Sequence, residues 1–510
     1  EYFWLTIDGL TAGEEYAFQY YIDGELKIAD PYTEKILDPY NDQYIPEETY
    51  PDLKPYPFDK TIGNVSVFQT AQEPYDWEVE DFTPMAVNET QPDLIVYEML
   101  VRDFVEDRRV ASVIDTLDYL ANLGVNAIEL MPFNEFEGND SWGYNPSFYF
   151  APDKAYGTKE DYKRFIDECH KRGIAVIMDM VLNHSFSQSP FAQMYWNDQD
   201  FQPSAQNPYY NEECPHPPSC WGSDFDHSSP YTQALVDSVT SFWLTEYKID
   251  GFRFDYTRGF SNNNNGYDQQ RIDLLKHYAD EIWSVNDQAY VILEHWADNS
   301  EELSLANYGM LIWANHNEQF NQNTLGYHEN HDYSWAYYTE RGYTYPNLIP
   351  YMESHDEERL MYRNLTYGNS SGDYDVTDKV TGLARSEAIT AMYYAVPGPK
   401  MIWQFGELGY DYSINHCPDG TISEDCRTAA KPVKWDYWDV YERQKLYQVY
   451  AGMAKLKTEQ EAFQSGDFGK DLSGLVKRAW VSHSSMNVVI GANFDVSGHT
   501  VTPSFQNSGT

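Results

Sequence analysis

The chain has 510 residues, 42% of them apolar and 16% aromatic, with 81 acidic side chains against 34 basic ones and a formal charge of −47. That length exceeds one ordinary domain, and that apolar content excludes a disordered chain. So negative a field repels nucleic acid and anionic membranes, which excludes both as partners. It also predicts adaptation to salt, where cations screen crowded surface carboxylates.

Residues 1–85 read as β. YFWLTIDGL, EEYAFQYYIDG and NVSVFQT cluster strand formers around DG, AG and IG turn signals. They predict a small sandwich-like module that opens in mid-pattern, short of its first strands. The proline-rich IPEETYPDLKPYPFDK reads as an irregular connector. The chain opens on Glu1 rather than Met, so we read its ends as trimmed and a missing leader as no evidence for the cytoplasm.

From about residue 90 the pattern changes to short apolar runs alternating with amphipathic helical ones. The apolar runs cover 94–98, 124–132, 174–184, 249–255, 290–296, 309–315, 347–356 and 399–407. Eight such runs with crossovers between them predict a (β/α)₈ TIM barrel over 86–457, an α/β fold. Their unbroken hydrophobicity suits parallel strands buried on both faces. The loop-like stretch 185–232 reads as a subdomain inserted after the third strand. Beyond the helical WDVYERQKLYQVYAGMAKLK the pattern returns to β, which predicts a C-terminal β-domain over 458–510 with its sheet incomplete. No apolar run is long enough to span a bilayer.

Cys214 and Cys220 bracket CPHPPSC, and Cys417 and Cys426 bracket CPDGTISEDC, both in turn-rich sequence; Cys169 lies in a helical run. Two local disulfides and one buried thiol predict an exported or cell-surface protein.

Polar residues gather at the C-terminal ends of the apolar runs, the rim where barrels of this kind assemble their sites. The third run ends in Asp179, Asn183 and His184, the fourth in Arg253 and Asp255, the fifth in Glu294 and His295, the seventh in His355 and Asp356. Paired carboxylates that flank one bond are the apparatus of glycoside cleavage. Arg253 and Asp255 share one face of a strand, so the arginine can pair with the aspartate and aim it into the barrel mouth.

DMVLNH, GFRFDYTRG, ILEHW and MESHDEE, in that order, resemble the four signature regions of the α-amylase superfamily, glycoside hydrolase family 13. The resemblance implies Asp255 as nucleophile, Glu294 as general acid/base and Asp356 as the third carboxylate. It implies substrate contacts from Tyr144, Asp179, His184, Arg253, His355, Arg258 and Trp296. It implies a Ca²⁺ cofactor held by Asn183, Asp224, Gly259 and Glu213 (or Glu212). The expected activity is endo-acting, retaining hydrolysis of α-1,4-glucosidic bonds in starch or glycogen, by a monomer. Pullulan or cyclodextrin cleavage and glucan branching or transfer are the alternatives on the same scaffold, and an inactive glucan-binding scaffold is the remote one. This chain departs from the commonest pattern at Arg258-Gly259, where Lys-His is usual, at His295-Trp296, and at Ser354.

Overall fold

The computed structural model describes residues 4–85, 93–264, 266–503 and 505. The eight apolar runs become eight strands: β1 (Ile95–Met99), β2 (Ala127–Leu130), β3 (Ala175–Met180), β4 (Gly251–Phe254), β5 (Tyr290–Leu293), β6 (Leu311–Asn315), β7 (Leu348–Tyr351) and β8 (Lys400–Trp403). Every ladder among them is parallel, and the sheet order runs β7-β6-β5-β4-β3-β2-β1-β8. β8 comes back beside β7, so the sheet nearly closes into the expected barrel.

Helices follow the strands. Lys159–Lys171, after β2, shows why. Thr158 and Asp161 form a capping box at its start. Acidic residues fill its first turn, His170 and Lys171 its last, as the helix dipole favours. Tyr162, Phe165, Ile166 and Cys169, spaced at helical period, bury one stripe against the barrel. The other long outer helices are Pro230–Glu246, Gln269–Val285, Lys379–Tyr394 and Tyr441–Glu459.

The period-two alternation of the strands decides what fills the barrel. Val96, Ala127, Ala175, Ile177, Ile292, Leu311, Ile349 and Met401 point inward and pack the lower lumen. Two residues further along each strand, the same face carries Glu98, Glu129, Asp179, Arg253 and Glu294, all buried. The lumen is therefore apolar below and ionic at its C-terminal end, and that polar layer is the floor of the candidate site.

Before the barrel, Glu15–Phe18 pairs antiparallel with Val65–Gln69, which also pairs with Ile36–Leu37; Tyr20–Ile22 and Leu26–Ile28 form a hairpin. This β-module is tied to the barrel by Asn139 Nδ2 donating to the Asn41 carbonyl (2.8 Å), Asn64 Nδ2 to Gln188 Oε1 (2.7 Å) and Lys154 pairing with Asp42 (3.4 Å). A cavity of about 870 Å³, lined by Tyr32, Lys35, Tyr50 and Lys159 among others, lies along that junction. After the barrel, Phe468–Asp471, Val476–Ser482 and Asn487–Asn493 make a three-stranded antiparallel sheet. The expected boundary at residue 86 and the last residues of the chain lie outside the described ones.

Between β3 and helix Pro230–Glu246 the chain is mostly loop, with two-residue strands and the Cys214–Cys220 disulfide. The helix starts at Pro230, just inside the expected insert. Cys417–Cys426 is bonded as well, and Cys169 is free and buried. Among the described residues no helix is long and apolar enough to cross a membrane.

Candidate active site

One buried guanidinium organises the rim. β4 lies between β3 and β5, with Arg253 level with Asp179 on one side and Ile292 on the other. Arg253 Nη1 donates to Asp179 Oδ1 (2.8 Å) and Asp255 Oδ1 (3.1 Å), and Nη2 lies 2.8 Å from Glu294 Oε2. The guanidinium carbon stacks 4.3 Å from the Trp313 ring of β6. Three carboxylates from three strands thus converge on one cation.

Each acid has a second partner. Asn183 Nδ2 donates to Asp255 Oδ2 (2.7 Å). The backbone N–H of Tyr256 donates to Glu294 Oε2 (2.9 Å). Tyr256 makes that contact from the left-handed region, φ 41°, ψ 54°, a conformation a tyrosine rarely adopts. Burial raises the Glu294 pKa well above the usual carboxylate range; Arg253 opposes the shift, and the nearby charges of Asp255 and Asp356 add to it.

Asp356 stands beyond the end of β7 and is about a third exposed, against near-complete burial for Glu294. His355 Nδ1 hydrogen-bonds Glu98 Oε1 (2.6 Å), and its Nε2 lies 3.5 Å from Asp356 Oδ2. Burial works against a charged imidazole there, but Asp356 and Glu98 outweigh it and hold His355 up at about 10. Asp356 has its pKa lowered: burial would raise it, and the charges of His355 and Arg427 prevail.

The walls are aromatic. Tyr144 stacks on His355 (centroids 5.1 Å) and donates its hydroxyl to Asp179, while Trp142 meets His355 edge-on at 5.4 Å. His184 Nε2 hydrogen-bonds the Tyr144 carbonyl (2.9 Å), which fixes the ring at the rim. Sugars offer flat apolar faces and a belt of hydroxyls, and this pocket offers rings and carboxylates to match.

Two expected substrate contacts need correction. Asp179 and Arg253 are fully buried beneath Tyr144 and the other acids, so no sugar reaches them. Their place on the inward face of β3 and β4 makes them supports. Arg258 turns along the loop, donating to the Asn264 carbonyl (2.9 Å), and Trp296 is 43% exposed on the same side. His295 turns inward to Glu301 (3.0 Å) and is buried. The sequence reading missed Glu98, Tyr256, Trp313 and Arg427. Glu98 was findable, because it closes the first apolar run as Asp255 closes the fourth.

The expected calcium ligands come together only in part. His184 pairs in register with Asp224, and Phe225 N–H donates to the Asn183 carbonyl (3.0 Å). A side chain on Gly259 would press on Tyr256 and Asn183. Glu213, however, is exposed on its loop. The side chains that reach Asp224 from that loop are Asn211, whose Nδ2 donates to Oδ2 (2.7 Å), and the buried His216, with Nε2 3.8 Å from Oδ1. Asn183 already commits its amide to Asp255 and its oxygen to His184. Burial lifts Asp224 to about 7, with Asn211 as its hydrogen-bond partner. Among the described residues no group of three or more His, Cys, Asp or Glu could hold a metal. Asn183, Asp224 and the Gly259 backbone therefore lie near one another, with Glu213 outside that group.

The α-amylase catalytic-domain family profile matches residues 109–232. Over that stretch the chain is similar to the α-amylase superfamily. It is 26% identical over 284 residues to malto-oligosyltrehalose trehalohydrolase from Saccharolobus solfataricus, covering 55% of this chain and 43% of that protein. It is 26% identical over 383 residues to the 1,4-alpha-glucan branching enzyme of Saccharophagus degradans, covering 67% and 49%. The chain thus matches less than half the length of either relative. A crystal structure of a putative alpha amylase from Salmonella typhimurium shares the fold, with TM-score 0.66, 17% identity, and coverage of 96% of this chain and 85% of that one.

Proposed function

We propose that this protein is a retaining hydrolase that cuts α-1,4-glucosidic bonds inside starch- or glycogen-type glucans. The observation that carries the reading is the Arg253 guanidinium holding Asp255 on one nitrogen and Glu294 on the other, with Asp356 facing them. Retaining glycosidases keep nucleophile and acid about 5 Å apart across the scissile bond, and two carboxylates on one guanidinium suit that spacing.

The steps follow from the environments. Glu294, kept protonated by burial, gives its proton to the glycosidic oxygen as the bond to the anomeric carbon breaks. Its Oε2 is committed to Tyr256 and Arg253, so Oε1 carries the proton. Asp255 attacks the anomeric carbon and forms a glycosyl-enzyme ester. The departing chain leaves with a new hydroxyl. Glu294, now a carboxylate, takes a proton from water, and the resulting hydroxide displaces Asp255 with retained configuration. Tyr144 stacks under the reacting ring, held by His184, and His355 and Asp356 accept or donate to the ring's hydroxyls. No step runs through a metal.

Branching or debranching is the second reading. The relatives include a branching enzyme and a trehalohydrolase, and the exposed Trp296, whose carbonyl accepts from Arg258, offers an open aromatic face on that loop. Incubation with amylose, pullulan, glycogen and cyclodextrin separates the readings. Shorter chains with new reducing ends from amylose support internal α-1,4 hydrolysis; new branch points, or cleavage confined to α-1,6 linkages, refute it. The two disulfides support export to an oxidising compartment. The β-module supports the barrel wall beside the site through Asn41 and Asn64.

A further inference from the structure

The segment after β8 contains a feature the reaction above does not use. Cys417 and Cys426 close a loop, and the next residue is Arg427. Arg427 Nη2 donates to Asp356 Oδ1 (2.8 Å) and to the Asp356 carbonyl (2.6 Å), across 71 residues of chain. Its guanidinium lies 5.8 Å over the Trp142 ring. The two oxygens of Asp356 therefore face two cationic side chains, His355 on one and Arg427 on the other. Asp356 and Arg427 are both partly exposed, so the pair sits at the open side of the site.

The loop that presents Arg427 is anchored on both sides. Arg102 Nη1 donates to the Thr428 carbonyl (3.1 Å), and Lys431 Nζ donates to the carbonyls of Cys426, Arg427 and Ala429 at 2.8, 3.2 and 2.6 Å. Glu358, two residues after Asp356, accepts from Ser413 Oγ (2.6 Å) and Ile414 N–H (2.9 Å). The loop is thus joined to the strand end that carries Asp356.

We propose that Arg427 is a positioning residue for Asp356, and that the disulfide-closed loop 417–426 aims it. Resting on the reading of Asp356 as the third carboxylate, this gives the loop a role in catalysis: Arg427 orients the carboxylate that meets the sugar hydroxyls, and with Trp142 it walls that side of the entrance. A side chain acting this way through a partner is worth nothing once the partner is gone.

The test is a double-mutant cycle on the full chain, with steady-state kinetics on a soluble maltooligosaccharide and melting temperatures alongside. Arg427→Ala is expected to lower kcat/KM about 10- to 100-fold, mainly in kcat, since small displacements of a reacting group carry losses of that order. Arg427→Lys should recover part of it. In an Asp356→Asn background, removing Arg427 should cost nothing further. The Cys417→Ser/Cys426→Ser pair should reproduce a share of the Arg427→Ala loss with the fold intact. The proposal is overturned if Arg427→Ala costs as much with Asp356→Asn as without it, or leaves kcat/KM unchanged. The loop's part in it is overturned if the serine pair retains full kcat/KM. Full activity in Asp356→Asn alone would instead refute the assignment of Asp356.

Discussion

Arg253 binds three acids with two nitrogens, an arrangement that depends on the flat fork of a guanidinium. A lysine has one nitrogen and cannot serve Asp179, Asp255 and Glu294 together. Arg253→Lys should therefore lose about 3–5 kcal/mol of stability, the usual result of breaking a buried pair, measured by urea denaturation, and most of its activity. Glu294→Gln should lower kcat about 10²- to 10⁴-fold with little change in melting temperature. The raised Glu294 pKa gives the sign of the pH dependence. The group is an acid below that value, so kcat should fall as pH climbs through it, and Glu294→Gln should lack that limb. Activity of Glu294→Gln equal to wild type would remove it from the mechanism. His355 has its pKa raised to about 10 in the fold, above the ordinary value of 6.5. Its stabilisation is complete below about pH 6.5 and is lost as pH rises toward 10. The stability gap between wild type and His355→Gln should narrow over that window; a constant gap would show that the charge contributes nothing.

At the scale of elements, the loop after β2 delivers Tyr144 through Gly143. Gly143 has φ +95°, and a Cβ there would fall 2.0 Å from the Pro132 carbonyl oxygen, so even alanine forces the backbone apart. Gly143→Ala should displace Tyr144 and raise KM several-fold or more while secondary structure is kept, read by circular dichroism and kinetics together. The helix Lys159–Lys171 offers a milder check. Thr158→Ala removes the capping hydrogen bond and should cost about 1 kcal/mol without changing kcat.

The whole molecule carries a charge of −47, and its acidic surface repels itself in dilute buffer. We propose that it is adapted to salt. Melting temperature and activity should both rise from low to molar NaCl as ions screen that repulsion. Best performance in dilute buffer would reject the adaptation. The charge acts on stability and association and leaves the barrel topology untouched, because the lumen and the helix stripes are set by apolar pattern.

The eight apolar runs and the polar residues at their ends were legible in the chain by itself. Burial on both strand faces and period-two alternation write themselves into one dimension. Asp255 and Glu294 were legible as the residues that follow strands four and five, and Asp356 as the end of the seventh apolar run, in the loop beyond β7. Only the tertiary structure decided which polar residue touches what. It buried Asp179 and Arg253 under the site, turned Glu213 outward in favour of His216, and brought Arg427 back across 71 residues to Asp356. Those contacts join residues far apart in sequence through loops, and loops have no periodicity from which a partner could be read.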